Sequence, residues 1–464
     1  MSAAPHGKIE PMVSHQLPEP PTSKPRARAG LSALDRARLS LATFAGRAAS
    51  LASRVVGRGS GQSIQGAILT RLAPRAFEHL LAGRTVVAVT GTNGKTTTTH
   101  FVAAAVREAL GEDAERLVTN ADGANLHRGI ASALSEAPQA DIAVLEVDER
   151  VVADLVKLGK PKILAMLNFS RDQLDRNHEI KALARAWRNA LEEAGEDGPL
   201  VIANAEEPLV AWAAETAHET VWVNSGSVWN DDAVLCPGCD TVLERENPEV
   251  DDAGNVTFAG TWRCPGCGRS QHKATIVVRG ETVHDADGNE LDLQLNVPGR
   301  FNVGNAAVAL ATVREFGVDT ETALAGMRKV QAPAGRFGIN EIRGVKCRLM
   351  LSKNPAGWAE SLPLGTSDPL VLAIDSVLAD GRDVSWLWDV DFESLRGRRV
   401  IATGRNTFDL AVRLDYAGVE CQTIKDLGTA IETAGSMRAD QSAPLDVIAT
   451  YTPFQVLRRM GGAK

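Results

Sequence analysis

Residues 85–110, TVVAVTGTNGKTTTTHFVAAAVREAL, restrict the possible folds of this chain more than any other stretch. The opening TVVAVTG is apolar and β-branched at consecutive positions. A strand of that kind has no solvent face, so it belongs in a parallel sheet covered on both sides. The threonine- and alanine-rich run that follows the glycine turn reads as a helix, and strand, glycine loop and helix in that order open an α/β unit. Further apolar strands are expected at 141–147, 162–169 and 199–205, separated by helical stretches such as 178–194, and this alternation predicts a doubly wound sheet. The turn itself comprises Gly91, Thr92, Asn93, Gly94, Lys95, Thr96 and Thr97. It lines up backbone amides at a helix N-terminus, an arrangement that favours phosphate. Lys95 adds a cation for terminal phosphates, and the Thr96 hydroxyl is a possible ligand for Mg²⁺. The glycine spacing, G-T-N-G-K-T, is shorter than the usual G-x-x-x-x-G-K-[ST].

Residues 1–30 are rich in Pro, Ala, Ser and Arg without periodicity and are expected to be disordered. From 31 to 56, Leu, Ala and Val recur at helical spacing with Arg between them, predicting an amphipathic helix, for which packing on the domain after it is favoured over a membrane-surface role. That main domain is expected over 31–330, resuming with a helix at 302–317, and a final domain over 331–464 after a linker near 330–338. Between 224 and 275 the α/β pattern gives way to Gly, Asp, Asn, Cys and Trp, which marks a strand-poor insertion. The insertion carries CPGC twice, at 236–239 and 264–267, with 24 residues between. Each knuckle presents two thiolates, so Cys236, Cys239, Cys264 and Cys267 suit one tetrahedral Zn²⁺. A segment this small and polar needs such a metal to supply its folding free energy. Two copies in this context do not match thioredoxin-type redox chemistry. The other two cysteines, Cys347 and Cys421, read as core or strand residues. A net charge of −8 argues against a generally nucleic-acid-binding surface. No apolar run approaches the roughly 18 residues of a membrane span and the start lacks a signal-peptide layout, so a cytoplasmic location is expected.

The short loop variant resembles that of the Mur ligases and folylpolyglutamate synthases. Glu146, in LEVDE at a strand end, matches their Mg²⁺-binding glutamate, and a carboxylate suits that hard cation. NFSRDQLDR (168–176) resembles their N-x-x-x-D-H-x-D segment. GRFNVGNAA (299–307) resembles their G-x-x-N-x-x-N helix start, in which Asn302 and Asn305 correspond to asparagines that contact adenine. Arg336, in AGRFG, matches an arginine at the border with the last domain. The resemblance implies a central ATP-binding domain followed by a C-terminal Rossmann-like α/β domain. There are also departures. Gln173 stands where many Mur ligases have a Mg²⁺-binding histidine, and Arg188 is found in place of a carbamylated lysine. SKNPAG (352–357) lacks the aspartates of their D-D-Y-x-H-N-P segment. Metal geometry is therefore expected to differ, and the site for an incoming amino acid to be absent.

The stretch AIDSVLADGRDVSWLWDVDFE (373–393) holds five aspartates beside two tryptophans. It resembles the A-D-G-x-D-V-S-W-x-W-D signature of the MurT family, the synthetase-like subunits of lipid II isoglutaminyl synthase, which also have a Mur-ligase core and an inserted four-cysteine ribbon. The resemblance covers most of 36–464. It implies that ATP and Mg²⁺ are used to activate the D-glutamate α-carboxyl of the lipid II stem peptide as an acyl phosphate. Ammonia would come from a GatD-type glutaminase partner in a heterodimer, with lipid II met at the inner membrane leaflet. In the family an aspartate of the last domain completes the glutaminase's Cys-His-Asp triad; Asp383 is the first candidate and Asp380 the second. Neither Cys347 nor Cys421 lies in a nucleophile-like motif, which fits a nucleophile on another chain. Two alternatives stay open: a stand-alone Mur or folylpolyglutamate-type amino-acid ligase, and a zinc-ribbon nucleic-acid-binding protein, which the acidic balance disfavours.

Overall fold

Strand β1 (Thr85–Thr90) lies at the heart of the larger of two α/β sheets. The structure, a computed structural model, describes residues 17, 32–55, 62–120, 124–171, 180–229, 232–250, 256–331, 337–377, 380–381 and 383–462. After β1 come β2 (Leu117–Thr119), β3 (Ile142–Val147), β4 (Ile163–Met166), β5 (Leu200–Asn204) and β6 (Glu219–Asn224). They run parallel in the order β6-β5-β4-β1-β3-β2. The consecutive apolar residues serve two cores at once: Val86 and Ala88 point into one with Leu39, Ile130 and Trp187, while Val87 and Val89 point into the other with Phe101, Leu310 and Phe316. Helices cover both faces, as a sheet without a polar side requires.

Between β6 and its neighbour in the sheet the chain makes a long excursion. It holds β7 (Glu244–Glu246), β8 (Glu249–Val250), β9 (Val256–Phe258) and β10 (Thr261–Arg263), paired as two small two-stranded sheets, so the segment has more strand than its composition suggests. The chain then returns as β11 (Ile276–Arg279), parallel to β6, and ends the sheet with antiparallel β12 (Thr282–His284) and β13 (Glu290–Leu291). The excursion is moored to the main sheet by Trp262, which is buried and donates from Nε1 to the Ala205 carbonyl at 2.8 Å. Arg269 reaches Glu215 (3.0 Å), and His272 stacks on Trp222 with centroids 3.9 Å apart.

The second sheet contains β14 (Ile339–Ile342), β15 (Val345–Leu351), β16 (Leu370–Ala373), β17 (Val400–Thr403), β18 (Cys421–Thr423) and β19 (Leu445–Ala449), in the order β14-β15-β19-β16-β17-β18. Only β14 is antiparallel. The same alternation recurs: Leu370 and Leu372 enter one core, Val371 and Ala373 the other. Cys347 is fully buried in β15, where burial pushes its thiol up to about 12, and Cys421 opens β18. Both are structural cysteines, as expected from their sequence context.

Residues 1–30, expected to be disordered, lie outside the described residues apart from Leu17, which is half-buried against the second core of the larger sheet. The expectation for the helix that follows needs correction. The helix Ala33–Val55 forms as expected, but it is not amphipathic in the simple sense. Leu39 and Ala42 are buried on one side while Leu34, Leu41, Phe44 and Leu51 are exposed on the other.

Candidate nucleotide site and cysteine cluster

The loop after β1 is pinned from beneath by the segment after β4. Thr92 N donates to Asn168 O (3.0 Å), Asn93 N to Asn168 Oδ1 (2.8 Å) and Ser170 N to Thr92 Oγ1 (3.0 Å). Gly94 occupies the left-handed region at φ +84, and a Cβ there would fall 2.3 Å from Asn305 Oδ1. Glycine is therefore required on two counts, strain and space. The helix Lys95–Leu110 starts at once after it, with the loop's amides at its N-terminus.

Lys95 turns back over the loop. Its ammonium donates to the Gly91 and Thr92 carbonyls and to Glu149 Oε2 at 3.1 Å. Burial alone would lower its pKa, but Glu149, Glu146 and Asp148 outweigh that and raise it, so the lysine stays charged. Glu146 sits opposite Val89 in the β1–β3 register and is 2% exposed. Asn125 Nδ2 donates to its Oε1 at 3.0 Å, and its backbone is clamped by Asn120. Its other oxygen, Oε2, is buried without a hydrogen-bond partner, an arrangement that suits a cation ligand. Thr96 is half-buried at the first turn of the same helix.

Beside the loop opens a cavity between the two sheets, lined on one side by Asn93, Gly94 and Thr97 and on another by Asn302 and Asn305. Asn305 Nδ2 donates to Asn302 Oδ1 (3.3 Å), and both belong to the buried face of helix Arg300–Phe316. The second sheet closes the cavity with Leu351 and the short helix Pro355–Ser361. Asn354 caps that helix through Gly357 N (3.0 Å) and exchanges amide hydrogen bonds with Asn93 at 3.3 and 3.4 Å. The segment that lacks the expected aspartates is thus a strut between the two sheets. Phe301 and Phe337 face each other across the cavity, centroids 6.0 Å apart, and Phe337 holds a left-handed φ of +62. That costs a non-glycine residue about 1–2 kcal/mol. Glu207 also reaches the cavity wall; burial is the main cause that pushes it up to about 8, and the same cause lifts its neighbour Glu206 to about 7. Glu360, on the opposite wall, is raised by burial although Arg300 lies 3.5 Å away.

Of the residues singled out in the sequence, the structure gathers the glycine loop, Asn302 and Asn305 at this cavity, with Glu146 beside Lys95. Gln173 and Arg336 lie outside the described residues. Arg188 is not drawn to Glu146: its guanidinium packs over Trp212 at 5.1 Å and donates to the Trp212 carbonyl. Sequence reasoning quoted Glu149, Asn168, Phe337 and Asn354 within LEVDE, NFSRDQLDR, AGRFG and SKNPAG without giving them a role, and it passed over Glu207, which no local motif distinguishes from an ordinary helix-end residue.

The four knuckle cysteines converge. Cys236 and Cys267 sulfurs are 3.6 Å apart, Cys239 and Cys264 sulfurs 3.4 Å, and all four lie within 4.8 Å of one another. A tetrahedron of thiolates around Zn²⁺, with Zn–S near 2.3 Å, has sulfurs roughly 3.8 Å apart, so the cluster fits. The two turns are built alike: Asp240 N donates to Cys236 O and Gly268 N to Cys264 O.

Asp375, two residues beyond the end of β16, is buried and accepts from Arg405 N at 2.7 Å, and burial raises its pKa. Asp380 Oδ1 accepts from Thr452 N (2.8 Å) at the start of the last helix. Asp383 is exposed, its carboxylate held by the Ser385 amide and hydroxyl at 2.8 and 2.9 Å. Nearby, Trp388 and Tyr416 meet edge to face at 5.3 Å, 56% and 73% exposed, and Phe408 and Val412 continue this face along helix Thr407–Tyr416. Arg171 ties Asp389 (3.2 Å) to Asp232 (2.6 Å), linking this stretch to the foot of the cysteine excursion.

Comparison with known proteins agrees with this architecture. Residues 89–313 match the Mur ligase middle domain family, and residues 351–454 the MurT ligase C-terminal family. The chain is 27% identical to the lipid II isoglutaminyl synthase (glutamine-hydrolyzing) subunit MurT of Streptococcus pneumoniae, over 90% of this chain and 96% of that one. It is 28% identical to the protein of the same name from Staphylococcus aureus, over 83% of this chain and 90% of the relative. Among solved structures it is similar in fold to a pseudomurein peptide ligase type C from Methanothermus fervidus, with TM-score 0.61, 18% identity, and 85% and 83% of the two chains covered. It is likewise similar to MurF from Acinetobacter baumannii, with TM-score 0.55, 15% identity and coverage of 86% and 79%. With both sheets, the cavity between them and both halves of the sequence accounted for, the chain belongs to the MurT family of Mur-type ligases.

Proposed function

We propose that this chain is the ATP-dependent synthetase subunit of a lipid II isoglutaminyl synthase, amidating the α-carboxyl of D-glutamate in the peptidoglycan stem peptide. The observation that carries this reading is the convergence on one cavity of the glycine loop, the Asn302–Asn305 pair and the second sheet, with the charged Lys95 and the half-satisfied Glu146 beside it. In this reading adenine lies against Phe301 and Phe337 with Asn302 and Asn305 at its edge, and the amides of Thr92 to Thr97 hold the phosphates. Lys95 exchanges its loop carbonyls for the terminal phosphate; Arg336, outside the described residues, stays a nucleotide-binding candidate on its sequence context alone. Thr96 Oγ1 and Glu146 would hold Mg²⁺, which supplies charge neutralisation during phosphoryl transfer. A substrate carboxylate oxygen attacks the γ-phosphorus as the bond to ADP breaks, giving an acyl phosphate. Ammonia then attacks the carbonyl carbon, and phosphate leaves with the C–O bond electrons.

The architecture assigned here is a central ATP-binding domain over 31–330 carrying a zinc ribbon at 224–275, and a C-terminal domain over 331–464. Zn²⁺ held by Cys236, Cys239, Cys264 and Cys267 would be structural, keeping Trp262 anchored beside β5. Ammonia is assigned to a GatD-type glutaminase subunit. The exposed Trp388–Tyr416 face offers such a partner an apolar, aromatic anchor. Asp383, five residues away in sequence and exposed, is the favoured carboxylate for orienting the partner's histidine; Asp380, already engaged by Thr452 N, is the second choice. The protein would work in the cytoplasm and meet lipid II at the inner membrane face through its substrate.

The test is mass spectrometry of lipid II incubated with ATP, Mg²⁺ and this protein, with ammonium chloride or glutamine as nitrogen donor. Amidation is expected on ammonium but not on glutamine, with glutamine use restored by a GatD-type subunit and lost again, alone, in Asp383→Asn. ATP-dependent addition of an amino acid to a Mur or folate precursor, without amidation, would instead mean a stand-alone ligase.

A further inference from the structure

We infer that the helix Ala33–Val55 is a docking face for an anionic lipid surface. Its inner side is conventional: Leu39 and Ala42 are fully buried in the first core and Ser50 is 3% exposed. At about 100° per residue, Leu34, Leu41, Phe44 and Leu51 project from the opposite side. They are 77%, 66%, 73% and 65% exposed, and nothing among the described residues covers them. The two borders of this stripe are basic. Arg36 and Arg47 flank one edge and Arg38 the other; Arg38 Nε donates to Leu72 O (2.6 Å) and Arg47 Nη2 to Ser135 O (2.7 Å), which fixes these cations at the margins.

The charge of the helix identifies the occupant. Its charged residues are Arg36, Arg38, Arg47 and Arg54 against one acid, Asp35, in a chain whose net charge is −8. An apolar stripe with arginine margins is the pattern of a helix that lies in the plane of a membrane interface, apolar side down, with cations at the level of anionic headgroups. A two-fold contact with a second copy would set the same arginine margins against each other, which like charges oppose. The helix carries too many charges, Asp35, Arg36, Arg38, Arg47 and Arg54, to cross a bilayer, and no helix among the described residues is long and apolar enough to do so. The inference stands on this surface and goes beyond the proposed amidation.

The experiment is vesicle flotation of the full-length protein without nucleotide or cell-wall precursor, so that its outcome bears on this helix and leaves the amidation reading untouched. Vesicles of phosphatidylcholine with one-quarter phosphatidylglycerol are compared with phosphatidylcholine alone, at low and high salt. The wild type should partition about tenfold more strongly onto the anionic vesicles, and this preference should fall as salt rises. Leu41→Glu with Phe44→Glu should lower binding by about tenfold or more, at unchanged melting temperature because both side chains are exposed. Arg36→Gln should weaken the anionic preference only. Equal flotation with and without vesicles, or a double variant that floats like the wild type, would overturn the inference. So would a concentration-dependent dimer, by light scattering, that the double variant abolishes, because the stripe would then belong to a second copy.

Discussion

Replacing Glu207 with Gln is expected to stabilise the central sheet at pH 8 and to change it little at pH 5. Glu207 is only 6% exposed. Burial pushes it from 4.5 to about 8, with Asp232 and Glu206 adding repulsion and Arg245 opposing. The sign follows from proton linkage. A carboxyl whose folded pKa is raised keeps its proton better when folded, so its contribution is complete below about pH 4.5 and is lost as pH rises toward 8. At about 1.4 kcal/mol per pH unit, the rise from pH 5 to pH 8 removes roughly 3 kcal/mol through this group. Glu206, lifted to about 7 by its own burial, titrates alongside it and keeps part of the slope in the variant. Glutamine has the same shape and no charge, so E207Q should lose less stability across this window by roughly 3 kcal/mol. Urea denaturation at pH 5, 6.5 and 8, followed by tryptophan fluorescence, reads the effect directly. Parallel pH dependences in the two proteins would refute the reasoning, because the carboxyl would then titrate as an exposed one does.

Other outcomes follow from the same geometry. Gly94→Ala sets a Cβ 2.3 Å from Asn305 Oδ1 at a left-handed φ; ATP-analogue binding, measured by fluorescence titration, should weaken about tenfold or more. Metal analysis should find one zinc per chain, and Cys264→Ser should lose it together with protection of the Trp262 region from proteolysis. Asp446→Ala removes the acceptor for Arg348 (2.7 Å) and for the Thr366 and Ser367 amides (2.7 and 3.0 Å), so the second sheet should lose roughly 3 kcal/mol in urea denaturation.

The legible parts of this protein are those written in consecutive residues. The β1 run has no polar alternation, so a covered parallel strand is its only comfortable setting, and the loop and helix that follow carry their chemistry in order. The knuckle cysteines are likewise local: each pair is preset by its own turn, and only the meeting of the pairs is a long-range event. By contrast, Asn354 looks like a plain helix cap until the second sheet carries it against Asn93, and Glu207 looks like a solvated helix start until β5, the cysteine excursion and helix Arg300–Phe316 close around it. Sequence periodicity recorded the apolar residues of helix Ala33–Val55, but periodicity does not say which of two apolar stripes is covered. Packing decided that by burying Leu39 and Ala42 and leaving Leu41 and Phe44 outside. The sequence by itself determined the strands, the phosphate-type loop and the metal-type knuckles, because those depend on neighbours within a few residues. Tertiary structure alone decided which carboxylates are desolvated, which side chains bridge the two sheets and which apolar face stays open, because each depends on what distant segments bring alongside.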